Sequence, residues 1–201
     1  MRKSLLFVWA CMGLVCLMSA CKTSVKSKEW KLVWVEDFDQ KNSFDESVWT
    51  KIPRGTSDWN NYMSYYDSCY AMQDGNLILR GIANHTQKND TAPYLTGGVY
   101  TKGKKLFTGG RVEVCARLQA AKGAWPAIWM LPEKAEWPKG GEIDIMERLN
   151  HDHIAYQTTH SYYTHILGIK DNPPHGGINK INLEEYNIYS VDIYPDSLVF
   201  A

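Results

Sequence analysis

The sequence has no excess of charge of either sign, because 22 acidic residues balance 22 lysines and arginines. Binding to nucleic acid or to an acidic polymer depends on a basic excess, so neither kind of partner is indicated. The sequence also lacks a C-x-x-C pair, which argues against a thiolate metal site. No amphipathic segment is long enough for a stable helix, so the chain is predicted to be all-β.

Histidines with the spacing of a zinc site are also missing. Four histidines lie close together in the sequence: His151, His153, His160 and His165. They match neither H-E-x-x-H nor a zinc finger, so no metal site is predicted. Beyond the N-terminal leader described next, the domain keeps Cys69 and Cys115. These could pair in an oxidising compartment or remain buried free thiols, and the sequence leaves both alternatives open.

The N-terminus has the pattern of a signal segment. Arg2 and Lys3 precede an apolar run over residues 5–18, which is shorter than the roughly 20 residues of a membrane-spanning helix. The following M-S-A-C at 18–21 is similar to the processing box of bacterial lipoproteins. We therefore predict a signal peptide at 1–20, lipidation of Cys21, a tether at 21–30 and a location on the bacterial cell envelope, at the outer membrane, cell surface or periplasmic face. Ordinary signal cleavage with Cys21 incidental is the alternative.

Residues 31–201 are predicted to form one domain of short strands separated by Gly, Pro, Asn and Asp clusters. The expected strands cover residues 31–38, 76–83, 98–106, 110–118, 124–131, 141–148, 155–161 and 188–194. Residues 150–185, with Pro-Pro and Gly-Gly pairs, are expected to form a long loop of the kind that carries specificity.

The most informative segment is G-E-I-D-I-M-E at 141–147, where three carboxylates interrupt an apolar run. Glu142 and Asp144 are two apart and share one face of a strand, whereas Glu147 would point to the other face. A bulge around Ile145 and Met146 would bring all three acids to one face. Crowded carboxylates raise one another's pKa, which yields an acid and a base from one residue type. The alternative is an acidic edge strand that only resists aggregation.

Aromatic residues make up 12% of the chain and include eight tryptophans. Tryptophans on strands either fill the core or provide flat surfaces on which sugar rings stack. Trp125 and Trp129 are four apart and share a strand face, and Trp137 lies just ahead of the acids. These three are therefore predicted to bind sugar.

The E-x-D-x-x-E motif resembles the active-site signature of glycoside hydrolase family 16, the laminarinase and lichenase family. Further segments carry the resemblance: W-P-A-I-W-M-L-P at 125–132, W-P at 137–138, G-G at 140–141, D-G-N-L at 74–77 and G-R-V-E-V at 110–114. The resemblance implies a two-sheet β-sandwich, a concanavalin-like β-jelly-roll with a concave substrate cleft.

By the same resemblance, Glu142 is the nucleophile, Glu147 the general acid and then base, and Asp144 the neighbour that tunes the pair. Retention of configuration requires two carboxyls roughly 5–5.5 Å apart. The resemblance also makes Asn61 and His160 cleft residues. Tyr62 stands where the family often has a glutamate, which is a departure on that side of the cleft.

The expected function is retaining, internal cleavage of a β-1,3 or mixed-linkage glucan, without a cofactor. The alternatives are an endo-β-galactosidase that acts on O-glycans or marine galactans, and a non-catalytic surface lipoprotein that only binds glycan. A monomer is expected, and the resemblance allows a structural calcium ion on the convex side. Residues 194–201 indicate a turn entering a strand, whereas the family continues for several more strands, so a C-terminally truncated chain is expected.

Overall fold

The computed structural model describes residues 30–40, 42–55, 60–119 and 121–201. The signal peptide and Cys21 lie outside these residues. Residues 32–201 form one compact unit. Its strands, in chain order, are β1 Thr50–Lys51, β2 Tyr70–Gln73, β3 Asn76–Leu79, β4 Gly81–Ala83, β5 Tyr94–Thr96, β6 Val99–Tyr100, β7 Gly110–Ala116, β8 Ala127–Met130, β9 Glu142–Glu147, β10 Ile154–His160, β11 Gly176–Lys180, β12 Asn187–Ile193 and β13 Leu198–Phe200.

The strands form two larger sheets and three two-stranded pairs. The first sheet has the order β11-β10-β9-β8, and the second has the order β13-β12-β7. The pairs are β1-β6, β2-β3 and β4-β5. Every pairing between these strands is antiparallel. In the first sheet, β9 is an inner strand with β8 on one side and β10 on the other, so its side chains are held in place from both edges.

The core lies between the two larger sheets. Ile145, Met146 and Ala155 from the first sheet contact Tyr189 and Val191 from β12, and all five side chains are buried. Burial of this apolar surface provides the main driving force for packing one sheet on the other. The chain is therefore the all-β, two-sheet jelly-roll that the sequence predicts, with one face of β9 in the core and the other free for a site.

Three of the predicted strands differ from the structure. Residues 31–38 form no strand; this segment is held through side chains, with the Trp34 ring 5.8 Å from that of Phe107 and Glu36 accepting a hydrogen bond from the Trp49 indole. The strand expected at 98–106 ends at Tyr100, because a turn closed by Thr101 follows it. The strand expected at 76–83 is split at position 80 into β3 and β4.

The long loop expected at 150–185 contains regular structure. Strand β11 pairs with β10 over five residues, and a π-helical turn at Tyr162–Ile166 follows β10 directly. Ser161 caps this turn, since its hydroxyl accepts a hydrogen bond from the Thr164 amide. No helix among the residues with described positions is long and apolar enough to cross a bilayer.

Cys69 and Cys115 are both free thiols, the first buried and the second exposed. The two cysteines are therefore unpaired, and the alternative of buried free thiols holds for Cys69 but not for the exposed Cys115.

Candidate active site

A β-bulge in β9 shapes the site. Tyr156 and Thr158 of β10 pair with Glu147 and Asp144, so two residues of β9 lie opposite one residue of β10. The pairing with β8 shifts at the same place. The two residues that oppose one are Ile145 and Met146, where the motif predicts the bulge. Both are buried in the core although they are consecutive in sequence.

The bulge brings the three acids to one face of the sheet. Without it, Glu147 would alternate to the core face, because one residue of register reverses the direction of every side chain beyond it. With Ile145 and Met146 both turned inward, Glu142, Asp144 and Glu147 share the outer face. The backbone of β9 therefore has the bulge that the motif predicts, and this bulge places the three carboxylates on one face.

Two exposed tryptophans hold the outer two acids. The Trp125 indole nitrogen donates to Glu147 Oε1 at 2.7 Å, and the Trp137 indole nitrogen donates to Glu142 Oε2 at 2.7 Å. Such bonds to a carboxylate are short and fix its orientation. Both rings are still nearly half exposed, at 43% and 48%, so each can also offer a face to a sugar. The prediction that they are sugar platforms therefore stays a prediction, and the structure adds a second role.

Asp144 lies between the two glutamates and is almost fully buried, at 3% exposed. Burial, with additional repulsion from Glu147 and Glu142, raises the pKa of Asp144 to about 8. His160 Nε2 lies 3.3 Å from Asp144 Oδ2. The raised pKa favours the neutral carboxyl, and in that form Asp144 can donate a hydrogen bond as well as accept one.

Burial also raises the pKa of Glu147, and the Trp125 hydrogen bond opposes that shift. A shift in this direction favours the protonated carboxyl, the form that a general acid needs. The sequence argument expected repulsion between carboxylates to be the main cause. In the structure burial is the larger cause for both Asp144 and Glu147.

The structure places some of the predicted binding residues beside the acids, but not all of them. Trp129 is the register partner of Asp144 on β8, and His160 is the register partner of Glu142 on β10, so both lie beside the acids. Trp125 precedes β8 rather than lying within it. Asn61 is exposed, with a positive φ of 56°. Within the described part of the chain no hydrogen bond joins Asn61 to the three acids, and its place in the cleft stays a prediction.

Sequence reasoning considered His165 only as a metal ligand and passed over its actual place. The π-helical turn brings the His165 ring to 4.4 Å from the Trp137 ring, and 6.4 Å from that of His160. The π-helical turn at Tyr162–Ile166, which places His165 there, has no signal in the sequence that was used. Within residues 30–40, 42–55, 60–119 and 121–201, no group of three or more His, Cys, Asp or Glu side chains is arranged to hold a metal ion.

Comparison with known proteins gives a family match over the site. Residues 69–187 match a family model described as "XgeA-like, catalytic GH16 domain". This segment contains the bulged strand, both tryptophans that hold the glutamates, and His160.

The chain is also similar to individual glycosidases, in sequence and in structure. The chain is 37% identical over 187 residues to a keratan-sulfate endo-1,4-beta-galactosidase of Sphingobacterium multivorum, covering 89% of this chain and 42% of that protein. It is 30% identical over 195 residues to a beta-glucanase of Rhodothermus marinus, covering 91% of this chain and 66% of that protein. The structure resembles that of the laminarinase from Rhodothermus marinus with a TM-score of 0.74 and 28% identity, over 86% of this chain and 71% of that one. The chain thus spans less than two thirds of the length of these two sequence relatives.

Proposed function

The chain belongs to glycoside hydrolase family 16, and from this membership we propose that it cleaves internal β-glycosidic bonds of a polysaccharide with retention of configuration. One observation carries the proposal. The β9 bulge places Glu142, Asp144 and Glu147 on one face, and a separate indole donor fixes each of the two glutamates. A glycan-binding module would have no need for such a set of acids.

The reaction uses only protein carboxyls and water. Glu147, whose pKa is raised by burial, donates a proton to the leaving-group oxygen while the Glu142 carboxylate attacks the anomeric carbon. The glycosidic bond breaks and a glycosyl ester with Glu142 forms. Glu147, now ionised, takes a proton from water, and the water oxygen displaces Glu142 from the same face that the leaving group occupied. The enzyme returns to its starting state without a cofactor.

Asp144 supports the nucleophile. Because its raised pKa favours the neutral form, Asp144 adds no second negative charge beside the ionised Glu142. Its proton can be shared with a neighbouring carboxylate, which stabilises the ionised form of that neighbour. Asp144 is therefore assigned to orienting and tuning Glu142 rather than to a bond-making step.

A β-1,3 or mixed-linkage glucan is the first substrate candidate, supported by the glucanase and laminarinase similarities. A β-galactosidic glycan is the second. The observation that favours it is the 37% identity to an enzyme named for the endo-1,4-β-galactosidase reaction. The departure at Tyr62, whose ring lies 6.0 Å from the Tyr94 ring, lies in the same segment as Asn61 and gives that region an aromatic rather than an acidic character.

Product analysis tests the function. The purified protein is incubated with laminarin, lichenan, agarose, keratan sulfate and mucin O-glycans, and the products are separated by size and followed by proton NMR. We expect oligosaccharides of several lengths from one class of polymer, with the β-anomer formed first. The Glu142→Gln protein is the control for contaminating activity. Binding without products would indicate a lectin, and an α-anomer formed first would indicate inversion.

We propose further that Cys21 carries a lipid and that the protein acts as a monomer on the cell envelope. The support for lipidation is the lipoprotein-like box at residues 18–21. A lipid on Cys21 would hold the protein at the membrane, because acyl chains contribute about 0.8 kcal/mol per buried CH₂ to membrane binding. The wild-type protein should fractionate with membranes, and Cys21→Ala should release it to the soluble fraction. A wild type found in the soluble fraction would contradict the anchor.

A further inference from the structure

The β9 bulge creates a problem in hydrogen bonding. Because Ile145 and Met146 together oppose one residue of β10, the extra peptide has no regular place in the ladder. Ile145 is only 1% exposed, so bulk water does not reach its carbonyl. A buried carbonyl without a donor is costly, and a bulge at this point therefore needs a donor from a side chain.

Gln157 supplies that donor. It is the β10 residue that faces the bulge, between Tyr156 and Thr158. Its Nε2 donates to the Ile145 carbonyl at 3.1 Å, and the side chain is 3% exposed. A side-chain amide can both donate and accept at its tip, and it does so without carrying a charge. A regular strand in place of β9 would leave this buried amide without its acceptor.

Asn179 orients the glutamine. Its Nδ2 donates to Gln157 Oε1 at 2.7 Å from the neighbouring strand β11. This bond engages the amide oxygen, so the Nε2 end must point at Ile145. Strand β11 approaches closely here, since a Cβ on Gly176 would meet the Gln157 carbonyl oxygen at 2.7 Å. A chain of two side-chain hydrogen bonds thus runs from β11 through β10 to the bulge in β9.

We propose that Gln157, oriented by Asn179, is a positioning residue that fixes the bulge and thereby holds Glu147 on the same face as Glu142. The proposal rests on the retaining mechanism proposed above, because that mechanism needs both glutamates on one face. The hydrogen bonds of the two amides join them to each other and to the Ile145 carbonyl, not to the reacting carboxyls. They act through the backbone at Ile145, two residues from Glu147.

The simpler explanation is that Gln157 satisfies one buried carbonyl and adds only to general stability. The two explanations differ in what happens to Glu147 in a protein that is still folded. If the amide positions the bulge, its loss moves Glu147 relative to Trp125. If it is only a core hydrogen bond, its loss lowers the melting temperature and leaves the Trp125–Glu147 contact unchanged.

The NMR signals of the tryptophan indole N–H protons report on this contact, and the measurement does not depend on activity. Trp125 and Trp137 donate to Glu147 and Glu142, and Trp49 donates to Glu36 at 3.0 Å far from the bulge along the chain. Substitution of each tryptophan by Phe assigns its signal. In Gln157→Met, which keeps length but cannot donate, we expect the Trp125 indole proton to shift upfield and to exchange with solvent at least about tenfold faster. The signals of Trp137 and Trp49 should not move.

Asn179→Ala is the milder variant, since it keeps the Gln157 amide and removes only its orienting partner. We expect the Trp125 signal to move in the same direction by a smaller amount. If Gln157→Met does not fold, Asn179→Ala decides the question alone. An unchanged Trp125 signal in the folded variants would overturn the proposal, and equal shifts of all three indoles would show general loosening instead.

Kinetics provide the second test. At a temperature where each protein is folded, Gln157→Met should lower kcat by about 10–10²-fold, as expected for a displacement of roughly 1 Å, with KM changed less than about threefold. The double variant with Asn179→Ala should be no slower than Gln157→Met, because both act through one amide. Leu95→Val, at a fully buried position of β5, is the control that lowers stability without changing kcat.

The outcomes separate this proposal from the proposed function. A kcat per folded molecule within twofold of wild type in Gln157→Met, or strictly additive effects of the two substitutions, would contradict the positioning role. A wild-type protein inactive on every polymer tested would contradict the proposed function instead. In that case the indole measurement still shows whether Gln157 positions Glu147.

Discussion

Glu142→Gln and Glu147→Gln should each lower kcat by at least about 10³-fold on the best substrate, with the fold and glycan affinity retained. The amide keeps the shape of the side chain but can neither attack the anomeric carbon nor transfer the proton, and general acid–base catalysis alone contributes roughly 10²–10⁴-fold. Steady-state kinetics on the preferred polymer, with binding measured separately, checks this result. Glu113→Gln on the exposed face of β7 is the matched control and should have wild-type activity.

The two variants should differ in a diagnostic way. With an aryl glycoside whose phenol is a good leaving group, the first step no longer needs a proton, so Glu147→Gln should form the glycosyl ester at nearly the wild-type rate. Glu142→Gln should stay inactive on the same compound, because no nucleophile is left. A Glu142→Gln protein with more than about a tenth of wild-type turnover would contradict the nucleophile assignment. An equal loss in both variants on the aryl glycoside would contradict the assignment of Glu147 as acid.

Asp144→Asn should make the protein more stable at pH 8 and less active. Asp144 has a pKa of about 8 in the folded protein against an ordinary value of 3.8, so the folded state holds a proton that the unfolded chain has released. Stability from this group is therefore fully present below about pH 4 and is lost as pH rises through about 8. The asparagine has no proton to lose. Activity should fall about 10–10²-fold, less than for either glutamate, because Asp144 makes no bond to the sugar.

Thermal melts at pH 4, 6 and 8 test the stability half of this prediction. The melting temperature of wild type should fall from pH 4 to pH 8. That of Asp144→Asn should fall less, so that at pH 8 the variant melts at a higher temperature than wild type. Asp90→Asn is a control, because the pKa of Asp90 is shifted in the opposite direction to that of Asp144. The Arg54 guanidinium, at 2.7 Å from both Asp90 oxygens, lowers the pKa of that carboxyl, so this variant should gain nothing at pH 8. Parallel melting curves for wild type and Asp144→Asn would show that Asp144 is not neutral in the folded protein.

The local geometry of the acids could be predicted from sequence because the period of a strand is fixed. Three acids at positions 1, 3 and 6 of a strand share a face only if one residue is added between the second and third. The structure places the bulge at Ile145 and Met146, as this argument requires. Strands of six or seven residues with buried apolar positions, such as β7, β9, β10 and β12, were also predicted close to their observed bounds.

Other features depend on tertiary contacts that no local pattern records. Strands β1, β2, β5 and β11 were missed because they are two to five residues long, and every residue of β11 is exposed. The segment 31–38 has suitable composition for a strand but packs through side chains instead. The indole bonds from Trp125 and Trp137 could not be foreseen, because a tryptophan that stacks on sugar and one that holds a carboxylate look alike in sequence.

The most direct test of this account is to trap the glycosyl ester and locate it. The protein is treated with an activated 2-deoxy-2-fluoro β-glycoside of the preferred sugar, a compound whose fluorine slows release of the ester, and the labelled peptide is sequenced by mass spectrometry. We expect a mass increase of one fluoroglycosyl group, carried by Glu142, and no label in Glu142→Gln. A label on Glu147 or Asp144, or turnover of the polymer by an enzyme that forms no covalent adduct, would contradict it.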